Sequence, residues 1–251
     1  MPHCSVCQQS VDRWLPHPHR DQRSEFMRAM ATVGSDLMVY QCPACKCTDR
    51  DRHLWLYLQA AGVRQAIAGA RVLHLAPEMH LEVLIDALGP ARYVRGDLHP
   101  TRAAHLRIDA EQLPFADGDF DLIICNHVLE HVASPQRALA EFHRCLVPAG
   151  VLIAQTPYSS RLKTTFEVDG PVSADFARQY FGQEDHVRLF GADIERYFHA
   201  AGFDGRLLQH DALLAGVDAH DSGCNAHEPL FAFWKPAVAQ PAVQVAEGAL
   251  A

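Results

Sequence analysis

Four cysteines near the beginning of the chain form two pairs with the spacing of a metal site. Cys4 and Cys7 make one pair, Cys42 and Cys45 make the other, and each pair encloses two residues. A Cys-x-x-Cys turn offers two thiolates from one side, and two such turns complete the tetrahedral sulfur shell that Zn²⁺ favours. Because four protein thiolates leave no open position for water or substrate, the spacing predicts a structural zinc.

The two cysteine pairs are separated by 34 residues, which is more than the loop of a minimal zinc ribbon needs. Residues 21–31 are predicted to form a helix inserted in this gap. Cys47 is a spare thiol, and His3, His17 or His19 could compete for a ligand position.

The charge balance restricts the partners that the chain can take. Lys and Arg number 22 and Asp and Glu number 30, so the formal net charge is −8. This balance disfavours extended contact with nucleic-acid phosphates or an anionic membrane. No stretch approaches the ~20 apolar residues of a membrane span. Eight cysteines without a basic-then-apolar leader predict a reducing compartment, and we expect the cytoplasm.

Short apolar runs alternate with helical patterns over residues 71–155, as a parallel sheet with crossover helices requires. The pattern predicts an α/β fold with a Rossmann-like sheet of seven strands. Residues 1–55 are predicted as a zinc-binding element, residues 56–235 as the α/β domain and residues 236–251 as a disordered tail. Strands are predicted at residues 71–75, 92–95, 105–108, 120–125, 151–155, 203–208 and 229–234, and helices at residues 54–61, 79–88 and 192–201 and after Ser134-Pro135.

Ligands of open α/β sheets bind beyond the carboxyl ends of the strands, near the point where strand order reverses. An acid after the second strand suits a ribose diol, and an acid after the third could accept from an adenine amino group. A single acid at a strand end is more often a solvated loop residue, but two at matching positions favour a binding site. The candidate binding residues after strands one to four are Ala76, Pro77 and Glu78, then Asp97 and Leu98, then Asp109 and Ala110, then Asn126 and His127.

Residues 109–132, DAEQLPFADGDFDLIICNHVLEHV, resemble the core of the class I methyltransferases, and within them the methyltransferase-11-like group. Residues 142–150, FHRCLVPAG, are similar to that group's helix-to-strand turn, and the resemblance covers roughly residues 70–210. It implies S-adenosylmethionine as cofactor. It also implies three contacts with this cofactor: Asp97 contacts the ribose, Asp109 contacts the adenine, and the Asn126-His127 turn makes a further contact.

The first strand departs from the pattern of that family, which usually has an acid and a glycine-rich turn there. Here residues 74–78 read HLAPE, so a proline and two Cβ atoms occupy the positions of close backbone approach. This form resembles a subgroup of methyltransferases that carry a zinc ribbon. The resemblance implies that Glu78 takes over a polar contact with the cofactor's amino group; the alternative is weakened or lost cofactor binding.

Residues 127–131 also fit the His-x-x-Glu-His pattern of inverted zinc peptidases. A peptidase of this type needs His127 and His131 on one face of a long helix, with Glu130 beside the zinc ion. A buried strand directly precedes the motif and Ser134-Pro135 starts a new helix after it, so a peptidase is disfavoured.

Residues 181–191, FGQEDHVRLFG, place polar side chains between aromatic anchors. His186 is a candidate general base, with His127 as a second candidate, and Arg188 a candidate contact for an anionic substrate group. Glu184 and Tyr158 could join the same wall, as could Thr164, Thr165 and Glu167. A loop held by internal salt bridges explains this segment about as well. Residues 50–53 could line the mouth of the active site or contact a partner, and a solvated helix start explains them at least as well.

The predicted function is S-adenosylmethionine-dependent methyl transfer to an oxygen or nitrogen of a small-molecule acceptor. One alternative is a ribosomal-RNA methyltransferase, because a guanine N1 methyltransferase of large-subunit RNA also joins a zinc element to this fold. Another is a non-catalytic binding module that has lost cofactor affinity. The sequence carries no indication of the oligomeric state.

Overall fold

The central element is a sheet of seven strands, seen in a computed structural model that describes residues 1–237. Of the predicted tail, residues 236–251, the part from residue 238 onward lies outside the described residues. The strands are, in order across the sheet, β3 (Leu106–Arg107), β2 (Arg92–Asp97), β1 (Arg71–Leu75), β4 (Phe120–Cys125), β5 (Leu146–Ile153), β9 (Leu230–Trp234) and β8 (Asp204–Leu208). β6 (Phe166–Glu167) and β7 (Arg188–Leu189) form a separate antiparallel pair.

The first five strands of the sheet are parallel, and β9 and β8 are antiparallel to their neighbours. Strand order reverses between β1 and β4, as in a Rossmann-like sheet. Leu75 is level with Gly96 on one side and with Cys125 on the other, so the carboxyl ends of β1, β2 and β4 lie side by side. The predicted seven-stranded α/β fold is confirmed.

Helices cover both faces of this sheet. They are α1 (Glu25–Ala29), α2 (Asp49–Ala60), α3 (Val63–Ile67), α4 (Met79–Asp86), α5 (Pro135–Cys145), α6 (Ala174–Tyr180), α7 (Ile194–Ala200), α8 (His210–Leu213) and α9 (Ala219–Ser222), with a short 3₁₀ turn at Arg20–Gln22. Side chains of the central strands alternate between the faces: Ile123 packs in the core with α5 and α7, and Ile124 packs in the core with α2 and α4. Within residues 1–237, no helix has both the length and the apolar character that crossing a bilayer requires.

Two helices near the beginning differ from their predicted bounds because of their caps. α1 starts only at Glu25, since the Ser24 side chain accepts from the backbone of Met27, and the chain turns away at Ala31, whose φ is 46°. α2 starts at Asp49, five residues earlier than the predicted helix, because Thr48 and Asp51 form a reciprocal capping box.

The predicted solvated helix start at residues 50–53 is wrong for Arg52 and His53, which are 0% and 1% exposed. The predicted domain boundary after residue 55 falls inside α2. The first half of this helix contacts the cysteine-rich segment, and its second half packs on the sheet through Leu54, Tyr57 and Leu58. The cysteine-rich segment is therefore anchored to the α/β core by one continuous helix.

The fifth strand also differs from its predicted bounds, because it begins at Leu146 and ends at Ile153. An irregularity in its pairing with β4 accommodates Pro148-Ala149-Gly150, where Ala149 has a φ of 62°. Gln155 leaves the strand because its backbone is engaged by the turn after β4: its N–H donates to Asn126 Oδ1 and its carbonyl accepts from the His127 N–H.

Candidate functional site

The four predicted zinc ligands come together although 34 residues separate the pairs. The sulfur atoms of Cys4, Cys7, Cys42 and Cys45 all lie within 4.8 Å of one another. Two of the cysteines are fully buried, and the cluster packs against a small apolar core that includes Trp14. Four converging thiols are the donor set of a structural zinc site, so these residues fit the ion that their spacing predicts.

Cys47 lies beside this group without joining it. Its Sγ is 3.5 Å from the Sγ of Cys4. The hydrogen bond from Cys47 lowers the pKa of the Cys4 thiol to about 4 in spite of burial, whereas the same contact and burial raise the pKa of Cys47. Cys47 therefore shares a hydrogen bond with one of the four predicted zinc ligands. His17 and His19 lie elsewhere, in the wall of the cavity described below.

Arg52 fastens the cysteine-rich segment to the end of the described chain. Its guanidinium donates to the carbonyl oxygens of Cys47, Val39 and Gly223, with distances of 3.1 Å to Cys47 and 2.8 Å to Gly223. The same group lies 4.0 Å from the ring centroid of Trp14. A buried arginine whose donors are all used in this way is structural.

The turn after β1 replaces a glycine-rich turn with a hydrogen-bonded chain of side chains. Ala76 adopts a φ of 47°, a left-handed conformation that favours glycine. His74 is buried, with Nδ1 2.9 Å from the Tyr93 hydroxyl and Nε2 2.9 Å from Glu78 Oε2. Asn126 Nδ2 donates to Glu78 Oε1 at 3.2 Å. Burial alone would raise the pKa of Glu78, but the hydrogen bond and charge of His74 lower it.

The acids after β2 and β3 keep free acceptor capacity. Asp97 Oδ1 accepts from the backbone of His99 at 2.7 Å, and Asp109 Oδ1 accepts from the backbone of Glu111 at 2.8 Å. The Oδ2 atom of each carboxylate has no protein partner within residues 1–237. Leu98 is exposed and Ala110 is buried. We call the strand-end edge the row formed by Ala76 to Glu78, Asp97, Asp109 and Asn126.

The strand-end edge suits a ligand with hydroxyl and amino groups. Glu78, Asp97 and Asp109 are acceptor groups, and they follow strands whose ends are aligned. These are the residue types that a ribose diol, an adenine amino group and an α-amino group need. The residues present therefore fit a nucleoside cofactor that carries an amino acid moiety.

A cavity of about 490 Å³ lies beside this edge. We call residues 17–40 the insert, because they connect the two cysteine pairs. The insert forms one wall, and residues 178–186, from the last turn of α6 onward, form the second. His127 and Pro157, which follow β4 and β5, form the floor. Arg50 reaches the cavity from the first turn of α2. Asn126 belongs to the strand-end edge. His127, the next residue, lines the cavity, so this turn joins the edge to the cavity.

His127 is placed by its backbone and by a buried carboxylate. Its φ is 54°, and its Nδ1 lies 3.4 Å from Oε1 of Glu130. Glu130 is 1% exposed and accepts from the Thr156 hydroxyl at 2.9 Å. The contact of His127 with Glu130 is not a hydrogen bond, because His127 Nδ1 and Glu130 Oε1 are both buried without a hydrogen-bond partner within the described residues. Burial alone would raise the pKa of Glu130, but the proximity and charge of His127 lower it to about 2. The carboxylate therefore stays charged and can orient the imidazole with the other ring nitrogen, Nε2, as proton acceptor.

His186 lines the same cavity from the opposite wall. Its Nδ1 is 2.9 Å from the carbonyl oxygen of Phe181, which can only accept, so Nδ1 carries the proton. Nε2 is buried and has no hydrogen-bond partner within the described residues. Burial lowers the pKa of His186, which keeps the ring neutral near pH 7. Glu130, His131 and His186 offer ligand atoms within 4.8 Å of one another, but residues 127–132 form turns, not the helix of a peptidase.

Three other predicted substrate contacts lie outside the cavity. Tyr158 is 8% exposed and packs its ring against Phe231 in the core. Arg188 is buried, pairs with Glu167 at 3.0 Å and donates to backbone carbonyls of residues 129–133. Glu184 pairs with Arg178 at 2.6 Å on the surface. These positions favour structural roles, which corrects the predicted wall and agrees with the alternative of a loop held by salt bridges.

The predicted supplementary wall residues are also engaged elsewhere. Thr165 hydrogen-bonds Asp193 at 3.0 Å, and Glu167 pairs with Arg188. The cavity residues that the sequence did not reveal are Gln22, Arg23, Ser24 and Met27 of the insert. Their only signal is the unusual length of the chain between the cysteine pairs.

Comparisons with known proteins agree with this geometry. Residues 72–154 match the family model described as a methyltransferase domain, of the methyltransferase-11 type. A protein of Encephalitozoon cuniculi with a provisional methyltransferase name is 28% identical over 134 residues, which are 49% of this chain and 60% of that protein. An uncharacterized 37.1 kDa protein in a transposon of Streptomyces fradiae is 34% identical over 95 residues, which are 38% of this chain and 27% of that protein.

The matches therefore span less than two thirds of the length of both relatives. Among solved structures, an S-adenosylmethionine-dependent methyltransferase from Mesorhizobium loti superposes with a TM-score of 0.49 at 13% identity, over 69% of this chain and 96% of its own. Residues 72–154 of the chain are therefore similar to a methyltransferase domain of the methyltransferase-11 type.

Proposed function

We propose that the chain is an S-adenosylmethionine-dependent methyltransferase that acts on an oxygen or nitrogen of a small molecule. One observation carries the proposal: the adjacent residues Asn126 and His127 join an acidic strand-end edge to a half-open cavity. A cofactor on the edge and an acceptor in the cavity would therefore meet at this turn.

The residues of the edge would hold the cofactor by groups that are already in place. Asp97 would accept from the ribose hydroxyls, Asp109 from the adenine amino group and Glu78 from the amino group of the methionine part. When bound, S-adenosylmethionine supplies an activated methyl group. The protein then has to align the acceptor and exclude water, and such positioning alone contributes much of a rate.

Two histidines can remove a proton from the acceptor. His127 lies beside the buried Glu130 carboxylate, and His186 has a buried Nε2 that lacks a hydrogen-bond partner within the described residues. A proton acceptor matters most for a hydroxyl, whose proton must leave as the new bond forms. We propose His127 as the base, because the preceding residue, Asn126, belongs to the edge that would hold the cofactor. His186 would position the acceptor group.

The size of the cavity supports a small acceptor. A volume of about 490 Å³ lies within the usual range of small-molecule sites. The net charge of −8 opposes an RNA substrate. The four clustered cysteines would hold one structural Zn²⁺ that keeps the insert in its place over the cavity.

Calorimetry with S-adenosylhomocysteine and S-adenosylmethionine tests the cofactor assignment. We expect the wild-type chain to bind both, and D97N to bind at least about tenfold more weakly, because one charge-assisted contact with the ribose is lost. D204N is the matched control, since Asp204 is exposed in β8, away from the edge. Absence of heat with the wild-type chain would favour the non-catalytic binding module.

A further inference from the structure

The cavity wall has a charge opposite to that of the chain. Three arginines and four histidines line it, namely Arg23, Arg50, Arg178, His17, His19, His127 and His186, and no Asp or Glu does. The whole chain nevertheless carries eight more acidic than basic residues (30 − 22 = 8). Of the carboxylates near the wall, Glu130, Asp49 and Glu228 are buried, and Asp175 and Glu184 pair with Arg178.

Arg50 is the cation with the fewest protein partners. Its side chain is half-buried, and within residues 1–237 it makes no side-chain hydrogen bond and no ion pair. Against the effect of burial, its charge lowers the pKa of two nearby carboxylates, Asp49 and Glu228, without forming an ion pair with either. Asp49 Oδ2 accepts from the backbone of Asp36 at 2.7 Å, and Glu228 Oε2 lies 3.7 Å from His53 Nδ1. The guanidinium donors of Arg50 are therefore available to a ligand.

Arg23 lines the cavity from the insert, and its side chain is exposed. One of its nitrogens donates to the carbonyl of Thr32, and no carboxylate pairs with it within the described residues. Partial burial and the like charge of Arg28 lower the pKa of Arg23. Arg178 differs, because Glu184 and Asp175 neutralise it. Arg23 and Arg50 thus remain as two cations at one cavity that form no ion pair within residues 1–237.

We infer that the methyl acceptor carries an anionic group, a carboxylate or a phosphate, which Arg50 binds directly and Arg23 closes over. The inference rests on the proposed function and deepens it by naming the class of acceptor. His127 and His186 then face the part of the acceptor that receives the methyl group.

The physical reason is that partly desolvated cations are costly until an anion pairs with them. An arginine that binds a carboxylate or phosphate forms two parallel charge-assisted hydrogen bonds, about twice as strong as neutral ones. A neutral acceptor of the same size would leave these donors without partners. The cavity therefore discriminates in favour of anions through its own unpaired charges.

Binding of simple anions tests this inference. Inorganic pyrophosphate and succinate serve as probes for phosphate and carboxylate chemistry, titrated by calorimetry into the chain saturated with S-adenosylhomocysteine. We expect at least one probe to bind, R50Q to bind it about tenfold or more weakly, and R50K to recover part of the loss, because the charge returns without the planar fork. The probe that binds more tightly identifies the anionic group.

R196Q is the matched control. Arg196 is exposed on α7 and, like Arg50, has no ion pair within the described residues, so the variant removes the same charge away from the cavity. Equal losses in R50Q and R196Q, or no binding of either probe by wild-type chain that still binds S-adenosylhomocysteine, would overturn the inference. Failure to bind S-adenosylhomocysteine would instead refute the proposed function, and its retention in R50Q shows that this variant folds.

Discussion

The strand-end edge and the cavity meet at the Asn126-His127 turn, yet they have opposite charges and different origins. The edge is acidic, and each of its residues directly follows a strand whose position the local sequence specifies. The cavity is cationic, and its walls come from segments far apart in the chain, residues 17–40 and 178–186. A binding surface made from strand ends can be predicted from local pattern, whereas one made from an insert depends on tertiary packing.

The same difference predicts how the two regions respond to perturbation. The edge is held by the parallel sheet and its two apolar layers. The insert is held by the cysteine cluster at its ends and by Met27, which packs in a small apolar cluster with Phe181 and Leu189. We therefore expect the cavity to be lost before the edge.

Removal of the proposed zinc should have the largest effect. Structural zinc contributes roughly 10–16 kcal/mol of apparent binding free energy in small metal domains, so chelation or C42S should unfold the cysteine-rich segment and the insert. Zinc content, thermal unfolding and binding of both ligands measure this. We expect loss of probe-anion binding with a smaller loss of S-adenosylhomocysteine affinity. C145S changes another buried cysteine, distant from the cluster, and should keep its zinc. If the affinities for the probe anion and for S-adenosylhomocysteine fell equally, the cavity and the strand-end edge would not differ in their dependence on zinc.

Replacement of His127 should affect transfer without affecting the cofactor. We expect H127Q to slow methyl transfer by about 10²–10⁴-fold, the usual contribution of a general base, with unchanged affinity for S-adenosylhomocysteine. E130Q should show a smaller loss, because it removes only the group that orients the imidazole. The measurement is the initial rate of label transfer from S-adenosylmethionine to small molecules of a cell extract. H220Q is the control, because the His220 side chain is 79% exposed. If H220Q and H127Q have the same rate, His127 is not the general base.

The pH dependence of stability should report on His186. Burial lowers its pKa below 6.5 in the folded state, with Glu130 and Asp185 opposing and His131 adding to the shift. A lowered histidine pKa gives a contribution that is complete above pH 6.5 and is lost as the pH falls below it. The free energy of unfolding should therefore fall less between pH 7.5 and 5.5 in H186Q than in the wild-type chain. Identical slopes in urea unfolding would show that His186 does not contribute. Glu130 titrates below this window.

The smallest effect concerns the first turn. Ala76 has a φ of 47°, so A76G should stabilise the fold by about 1 kcal/mol by relieving a left-handed alanine. A68G is the control, because Ala68 has a φ of −57° and glycine there should be destabilising. Unfolding by urea measures both. A loss of stability in A76G would mean that the alanine side chain makes a contact that outweighs its backbone strain.

Much of the fold could be predicted from local pattern, and less of the site. The strand at residues 120–125 matches its predicted bounds because its residues are apolar on both faces. His186 was found from its polar neighbours, but Arg188 in the same segment turns inward to hold the turn at residues 129–133. Sequence gives no direction for a side chain in an irregular loop. Arg23 and Arg50 carry no motif, and only the packing of the insert brings them together.

A structure with bound S-adenosylhomocysteine tests the central claim most directly. We predict the ribose on Asp97, the adenine near Asp109, and the sulfur atom at the Asn126-His127 turn, facing the cavity that Arg50 lines. A complex in which the sulfur points away from this cavity, or in which the ligand does not occupy the strand-end edge, would contradict the account.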